Sequence, residues 1–390
     1  MKVLVLSSLY PNNMFPTHGI FIKERITNLI REVRCDIRVI APVPYFPPIK
    51  VTSRWKYSQV DHLEIRDNLQ VFHPRFFMTP KIGMPTYGWL MYKSILPLIK
   101  KIRAEFDFDL IDAHYMYPDC FAAVLLGRFF KKPVVVTARG SDINQFTNFP
   151  VVRKLLSYTL KKADHCVAVS KALKYSMVRL GVAESKISVI PNGVDPRKFH
   201  PLDRQETRKN LGLAKGKVIL SVGNLIPLKG FDILIKAFKQ VHDSRPDSKL
   251  TMLIVGEGQQ RSELLTLIRD LSLTNNVHLI GAKLHHELNA YYNAADVFCL
   301  ASSREGWPNV IMESLACGTP VIATGVGGIP EIISSGDVGL ISERTEDAFA
   351  KNIHEALNKT WDVPKIVDFA HQFTWHKAAR SISDTFERIV

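Results

Sequence analysis

The chain reads as an α/β protein built from two parallel-sheet domains. Three observations lead there. Short β-branched runs alternate with segments of helical period, the alternation pauses near residue 195 and begins again near 217, and 390 residues exceed what one core usually organises. Parallel neighbours need a crossover between them, and a helix of this length supplies it.

The first series of strands is expected from Lys2 to Ser8, Arg38 to Pro42, Leu110 to His114, Pro133 to Thr137, His165 to Val169 and Ile187 to Ile190. The second runs from Lys217 to Asn224, Leu250 to Gly256, Val277 to Gly281, Asp296 to Ala301 and Pro320 to Thr324. Between the series, Pro191-Asn-Gly-Val-Asp-Pro-Arg-Lys-Phe-His-Pro201 clusters Pro, Gly and Asn, as a linker does. The expected domains are therefore 1–195 and 196–372, with a last helix in 373–390.

At 46% hydrophobic and 23% charged, the composition is that of a soluble globular protein. The five cysteines (Cys35, Cys120, Cys166, Cys299, Cys317) are scattered and lack a Cys-x-x-Cys pair, so neither a disulfide framework nor a zinc site is expected, and a cytoplasmic home is. The apolar start, Met1 to Tyr10, is short and ends in Pro11-Asn-Asn without a small-residue cleavage site, so it reads as a buried first strand. No run reaches the eighteen or so uncharged apolar residues of a membrane span.

The net charge of +14 is uneven: residues 1–200 hold 30 Lys and Arg against 15 Asp and Glu, and the rest hold 21 against 22. Nucleic acid is not expected, because no zinc finger, aromatic RNA-binding signature or basic zipper helix is present. An anionic membrane surface fits better. The segment from Tyr87 to Arg103 interleaves aromatic, aliphatic and basic residues as interfacial helices do, and equally as a core helix with solvated lysines does.

The chemistry concentrates in Glu305-Gly-Trp-Pro-Asn-Val-Ile-Met-Glu313, which runs into Ser-Leu-Ala-Cys-Gly318-Thr-Pro-Val. Glu305 stands on a Gly/Pro turn. Glu313 lies about one turn inside an apolar helix that stops at Gly318. A carboxylate accepts hydrogen bonds from hydroxyls, so two of them can grip a polyol such as a sugar or ribose. Read as residues alone, two Glu at this spacing are ordinary surface acids; the block around them singles them out.

Ligands of an open parallel sheet bind beyond the carboxyl ends of its strands. Gly223-Asn224-Leu-Ile-Pro-Leu-Lys229-Gly230 follows a strand and opens a helix whose free N–H groups attract phosphate, with Lys229 adding a full charge. Gly256-Glu257-Gly258 follows the next strand as a tight turn or a ligand contact. Asn309 and Val310 open the Glu313 helix and offer backbone N–H groups in the same way.

Taken together, Glu-Gly-x-x-x-x-x-x-Glu and Ala-Cys-Gly-x-Pro-Val resemble the signature of the retaining, nucleotide-sugar-dependent glycosyltransferases of family 4, which share the GT-B fold: two Rossmann-like domains facing each other across a cleft. The resemblance covers nearly the whole chain and is strongest from about 185 to 335. It implies that Glu313 grips ribose hydroxyls, that Glu305 grips the transferred sugar and that Lys229 meets the diphosphate. The family carries Arg where Asn224 stands here. In the first domain it implies donor contacts at Gly19, where one Gly replaces a Gly-rich turn, at His114, and in Thr137-Ala-Arg139-Gly-Ser-Asp142, where Arg139 stands in place of a family His and could restore charge missing at Asn224. It further implies a final helix that crosses back onto the first domain, closure around the donor, and no resident cofactor or metal. The donor expected is a UDP-sugar. The acceptor expected is a glycan or lipid-linked molecule in bacterial surface polysaccharide assembly, of the teichuronic-acid kind, on the inner face of the membrane.

Asp107-Phe-Asp109 has the Asp-x-Asp form that holds a divalent metal in another glycosyltransferase fold, but it precedes its strand and should lie away from the ligand. Two rival functions use similar architecture. A sugar-nucleotide epimerase would convert the donor without an acceptor, and a non-catalytic sugar-binding protein would need none of the Lys229, Glu305 and Glu313 set. A phosphorylase would require a pyridoxal-phosphate lysine context that is not found.

Overall fold

The computed structural model describes residues 1–33, 35–50, 53–79, 83–213, 216–245 and 249–390. They form two compact units, one of Met1–Asn192 with Trp375–Val390 and one of Gly193–Thr374.

Unit 1 holds strands β1 (Lys2–Leu6), β2 (Asp36–Ile40), β3 (Val43–Pro44), β4 (Leu63–Arg66), β5 (Leu69–Phe72), β6 (Arg75–Phe76), β7 (Leu110–His114), β8 (Val134–Ala138), β9 (His165–Ala168) and β10 (Ile187–Val189). Eight of them make one sheet in the order β10-β9-β8-β7-β1-β2-β5-β4, while β3 pairs with β6. Every residue of β7 and β8 is buried, as expected where helices cover both faces of a parallel sheet. The edge strand β4 runs antiparallel to β5 across Asp67 and Asn68, both in the left-handed region that a two-residue hairpin turn requires.

The helix Ile20–Val33 buries Ile22, Ile26 and Leu29 against this sheet. On it lies the terminal helix Trp375–Glu387, whose Trp375, Ala379, Ile382 and Phe386 complete the same core. His376 on that helix also pairs with Glu32. The helix Tyr87–Glu105 buries Gly88, Met91, Ile95, Ile99 and Ile102 within unit 1. Its apolar stripe is therefore core, and Trp89, 51% exposed, stands on its outer face.

Unit 2 holds β11 (Lys217–Val222), β12 (Leu250–Val255), β13 (Val277–Gly281), β14 (Val297–Leu300), β15 (Val321–Thr324) and β16 (Gly339–Ser342) in the order β13-β12-β11-β14-β15-β16, parallel throughout. Its core joins strand residues such as Ile219, Met252 and Ile254 to Phe231, Leu234 and Phe238 of the helix Phe231–Asp243.

Both sheets are doubly wound, and among their parallel strands the order reverses between β1 and β7 in unit 1 and between β11 and β14 in unit 2. Loops that leave the two strands flanking a reversal go to opposite faces and open a crevice at the carboxyl edge. Several strands end one or two residues before their expected limits because Ser7, Ser8, Pro42, Gly223, Asn224 and Gly256 leave the ladder to build those loops.

Candidate active site

At the reversal in unit 2, the loop after β11 is shaped by its neighbour after β12. The N–H of Leu225 donates to the Glu257 carbonyl at 2.9 Å, and that of Gln260 donates to the Leu225 carbonyl at 3.0 Å. Gly256 sits at φ +149, and a Cβ there would fall 1.9 Å from the Gly223 carbonyl oxygen. Gly258 would place one 2.4 Å from the Leu225 oxygen. Both glycines of this turn are thus required by the loop they support, while the Glu257 side chain is half exposed and pairs with Arg261 at 3.3 Å. Gly223 differs. Its φ is ordinary, and a Cβ there would make only ordinary van der Waals contact, with Phe231 at 3.6 Å and Lys229 at 3.7 Å, so the fold itself does not require the glycine.

The same loop ends in the turn Pro227–Lys229 and in Gly230, whose left-handed φ of +67 starts the helix Phe231–Asp243. Lys229 reaches across the reversal: its Nζ lies 2.6 Å from Glu305 Oε1, which also accepts from the Ser302 hydroxyl at 2.7 Å. The side chains of Lys229 and Glu305 are 19% and 12% exposed, so the pair is sheltered but reachable. The Glu305 loop is pinned on two sides. Ser303 N–H donates to the Leu228 carbonyl at 2.8 Å, and Gly327, at φ +57, approaches so closely that a Cβ would fall 1.9 Å from the Glu305 carbonyl oxygen.

Asn309 and Val310 are the first two residues of the helix Asn309–Ala316, where backbone N–H groups have no intrahelical carbonyl to bond. Glu313, one turn on, is buried. Its Oε1 lies 2.9 Å from His285 Nε2, and its Oε2 accepts from the Tyr292 hydroxyl at 2.9 Å. Burial, and then the Glu313 charge, push the Tyr292 hydroxyl well above its ordinary value, so it remains a donor. A carboxylate has about four lone-pair positions, so this one is fixed in place with capacity left for a ligand's hydroxyls.

Unit 1 builds a second cluster where β7 and β8 end. His114 is fully buried; its Nε2 lies 3.2 Å from Asp112 Oδ2, and its Nδ1 faces Arg139 Nη2 at 3.0 Å. Asp112 in turn meets the buried Arg25 guanidinium at 3.3 Å, and Arg25 donates to the Thr137 hydroxyl at 3.1 Å. Burial alone would raise the Asp112 carboxyl, but Arg25 and then His114 outweigh it and hold it down to about 2. Burial brings His114 down to about 4, so its ring is neutral, with its proton kept on Nε2 beside the Asp112 carboxylate and Nδ1 accepting from Arg139. His114 Nδ1 is thus engaged, whereas its Nε2 lies beside Asp112 without the alignment of a hydrogen bond, and Arg139, partly exposed, is held also by Asn192 at 2.8 Å. Burial, then the charge of Arg25, lower Arg139 to about 9.

Asp142 serves its own loop: its carboxylate accepts from the N–H groups of Arg139, Gly140, Ile143 and Met116 at 2.7–3.1 Å. Gly19, at φ +66, lets the chain entering the helix Ile20–Val33 pass the Leu9 carbonyl oxygen, which a Cβ would meet at 2.2 Å. The Asp-x-Asp segment lies at the amino edge of the sheet, where Asp109 accepts from the Lys2 N–H at 2.7 Å and Asp107 pairs with Lys132 and Arg103.

The model described as glycosyl transferases group 1 matches residues 203–373, and the one described as glycosyltransferase family 4 matches residues 51–198. The chain belongs to the family 4 type of glycosyltransferase. It is 29% identical to TuaC of Bacillus subtilis, named as a teichuronic acid biosynthesis glycosyltransferase, over 100% of this chain and 99% of that one. It is 28% identical to N-acetyl-alpha-D-glucosaminyl L-malate synthase of Bacillus anthracis over 61% of this chain and 62% of the relative. Among solved structures it is similar to sucrose-phosphate synthase from Thermosynechococcus elongatus, with a TM-score of 0.80, 19% identity and 99% and 98% coverage. Anabaena Alr3699/HepE in complex with UDP-glucose gives 0.74 at 20% identity, each chain covered fully. These two likenesses show the GT-B fold.

For this glycosyltransferase the structure brings Lys229 and Glu305 together and places Glu313, Asn309, Val310, Gly223 and Asn224 on the loops around the same reversal. Ser302, His285, Tyr292, Arg25 and Asn192 hold the named residues in place and escape a reading by motif, because each lies on a different element and carries no local signature.

Proposed function

We propose that this glycosyltransferase moves a hexosyl group from a UDP-sugar to a glycan or lipid-linked acceptor in cell-surface polysaccharide synthesis, with retention at the anomeric carbon and without a metal or resident cofactor. The observation that carries the reading is the Lys229–Glu305 pair at the sheet reversal, set between the Gly223 loop and the Glu313 helix. Support for the donor comes from the fold shared with a protein solved with UDP-glucose, and for the pathway from the full-length likeness to TuaC. The epimerase and non-catalytic alternatives draw no support from these likenesses.

Each group has a task that follows from its chemistry. Breaking a glycosyl–phosphate bond builds negative charge on the departing diphosphate, so a cation and helix N-termini are worth most in the transition state. Lys229 spends one of its donors on Glu305 and keeps others for phosphate oxygens. Glu305, fixed by Lys229 and Ser302, accepts hydroxyls of the transferred sugar. Glu313, fixed by His285 and Tyr292, accepts those of the ribose. In unit 1, Asp112 and Arg25 hold His114, and His114 and Asn192 hold Arg139 ready for an anionic group.

The reading is tested with Glu305→Ala. Transfer from UDP-sugar should fall at least ~100-fold, the size of a lost transition-state contact, while circular dichroism and the melting profile stay those of a folded protein. A folded variant with near wild-type transfer would remove Glu305 from the mechanism.

A further inference from the structure

Unit 1 has its own crevice at the β1–β7 reversal, and there the structure holds a cavity of about 250 Å³. Its walls come mainly from Tyr57, Phe76, Met78, Met84, Tyr115 and Phe146, with prolines between them. Apart from the His18 imidazole and the Tyr57 hydroxyl, the polar side chains that also line it are already engaged inside unit 1. The Ser8 hydroxyl donates to Asp119 at 3.0 Å, and the Asn12 side-chain oxygen accepts from the N–H groups of Met14 and Phe15. The Tyr117 hydroxyl donates to the Met84 carbonyl at 2.6 Å and accepts from the Gly88 N–H, while that of Tyr87 donates to the Thr79 carbonyl. Tyr115 is hydrogen-bonded to Ser141. A sugar ring placed here would leave most of its hydroxyls without partners, and each one buried so is costly. A hydrocarbon chain would lose nothing.

The rim has the complementary character. Tyr45, Phe77, Trp89 and Phe149, each beside a wall residue or within three positions of one in the chain, are 46–56% exposed. In sequence, three of the stretches that carry wall residues, 37–60, 68–104 and 143–163, contain Lys and Arg but no Asp or Glu, while the other two, 8–18 and 115–118, hold no Lys or Arg. One of these cations already sits on a rim aromatic, Lys93 over Trp89 at 5.2 Å, and Arg54 sits over Phe46, next to Tyr45, at 5.7 Å. A largely apolar cavity whose flanking stretches are rich in Lys and Arg matches a molecule that has a hydrocarbon chain and an anionic head.

We propose that this cavity receives the apolar chain of an amphiphilic acceptor, whose phosphate head lies on the basic border. The inference rests on the glycosyltransferase reading and narrows its acceptor from glycan or lipid-linked molecule to the latter. It is tested on the full chain by titrating n-decyl phosphate below its micelle concentration, alongside decanol and inorganic phosphate, with binding read by calorimetry. Decyl phosphate should bind one per chain, decanol at least ~5-fold more weakly and inorganic phosphate at least ~100-fold more weakly. Met78 lines the cavity while remaining partly exposed, so Met78→Glu should fold and lose at least ~10-fold in decyl phosphate affinity, and Met78→Leu should bind as the parent does. In both variants the thermal shift given by UDP should be unchanged. Equal binding by the Met78→Glu and parent chains overturns the proposal, as does inorganic phosphate that competes as well as decyl phosphate. So does no decyl phosphate binding by a chain that still responds to UDP. Decyl phosphate binding with silence toward UDP upholds the cavity and counts against the donor reading instead.

Discussion

Asp112 and Asp119 stand seven positions apart, both fully buried, and their carboxyls titrate at opposite ends of the scale. Asp112 faces Arg25 and is held down to about 2, whereas Asp119, whose side-chain hydrogen-bond partner is the neutral Ser8, is raised by burial to about 7. Between an ordinary carboxyl value of 3.8 and 7, the unfolded chain gives up the Asp119 proton while the folded chain keeps it. Stability contributed by this group is therefore lost as pH rises through that window. His114 acts in the opposite sense. Its folded value of about 4 lies below the ordinary 6.5, so stability is lost as pH falls from 6.5 toward 4. Asp119→Asn removes only the first effect. The melting temperature of the variant minus that of the parent should climb between pH 4 and pH 8, and parallel curves would show that Asp119 is ionised in the fold. Glu305, Glu313 and Lys229 are legible in the sequence because each sits inside a short local pattern. Their holders are not: Ser302 is an unremarkable serine, and His285 and Tyr292 meet Glu313 from 28 and 21 residues away.

The elements that carry the site are loops whose geometry is set by glycines, and those glycines divide by what the fold asks of them. Gly256 is forced, by a φ of +149 and by the Gly223 carbonyl oxygen that a Cβ would strike; Gly223 itself is not. Gly256→Ala should therefore lower the melting temperature by several degrees and abolish UDP binding with it, as a strained and clashing site does. Gly223→Ala should melt like the parent, because its Cβ would make only ordinary contacts, yet weaken UDP at least ~10-fold if the diphosphate approaches this backbone. Equal UDP affinity for Gly223→Ala and the parent would place the diphosphate elsewhere. Most strands are legible in the sequence to within two residues, because strands buried on both faces read as continuous β-branched runs. The β4–β5 hairpin is not, since its turn is Asp67-Asn68 instead of a glycine pair and the edge strand has no buried residue to mark it. β16 escapes for a related reason: Gly339-Leu-Ile-Ser is too short to announce itself, and only the completed sheet gives it a partner.

On the scale of the whole molecule, the excess positive charge lies in the first half of the sequence, 30 Lys and Arg against 15 Asp and Glu in residues 1–200. Among the described residues no helix is long and apolar enough to cross a membrane. If the basic unit meets an anionic surface, the protein should sediment with anionic liposomes at ~20 mM salt and release at ~500 mM, because charge attraction is screened over a few ångströms at high salt. No sedimentation at low salt would end that idea. The central claim is that this chain holds a nucleoside-diphosphate sugar in unit 2 without help from a metal. Its most direct measurement is the melting temperature of the whole protein in a metal chelator with UDP, GDP or ADP at ~100 times the dissociation constant, where binding contributes roughly 2.7 kcal/mol. UDP should raise the transition by several degrees, GDP and ADP should not, and Lys229→Met with Glu313→Gln should lose the response. An unchanged transition with all three nucleotides, or a UDP response that survives both substitutions, would contradict the account.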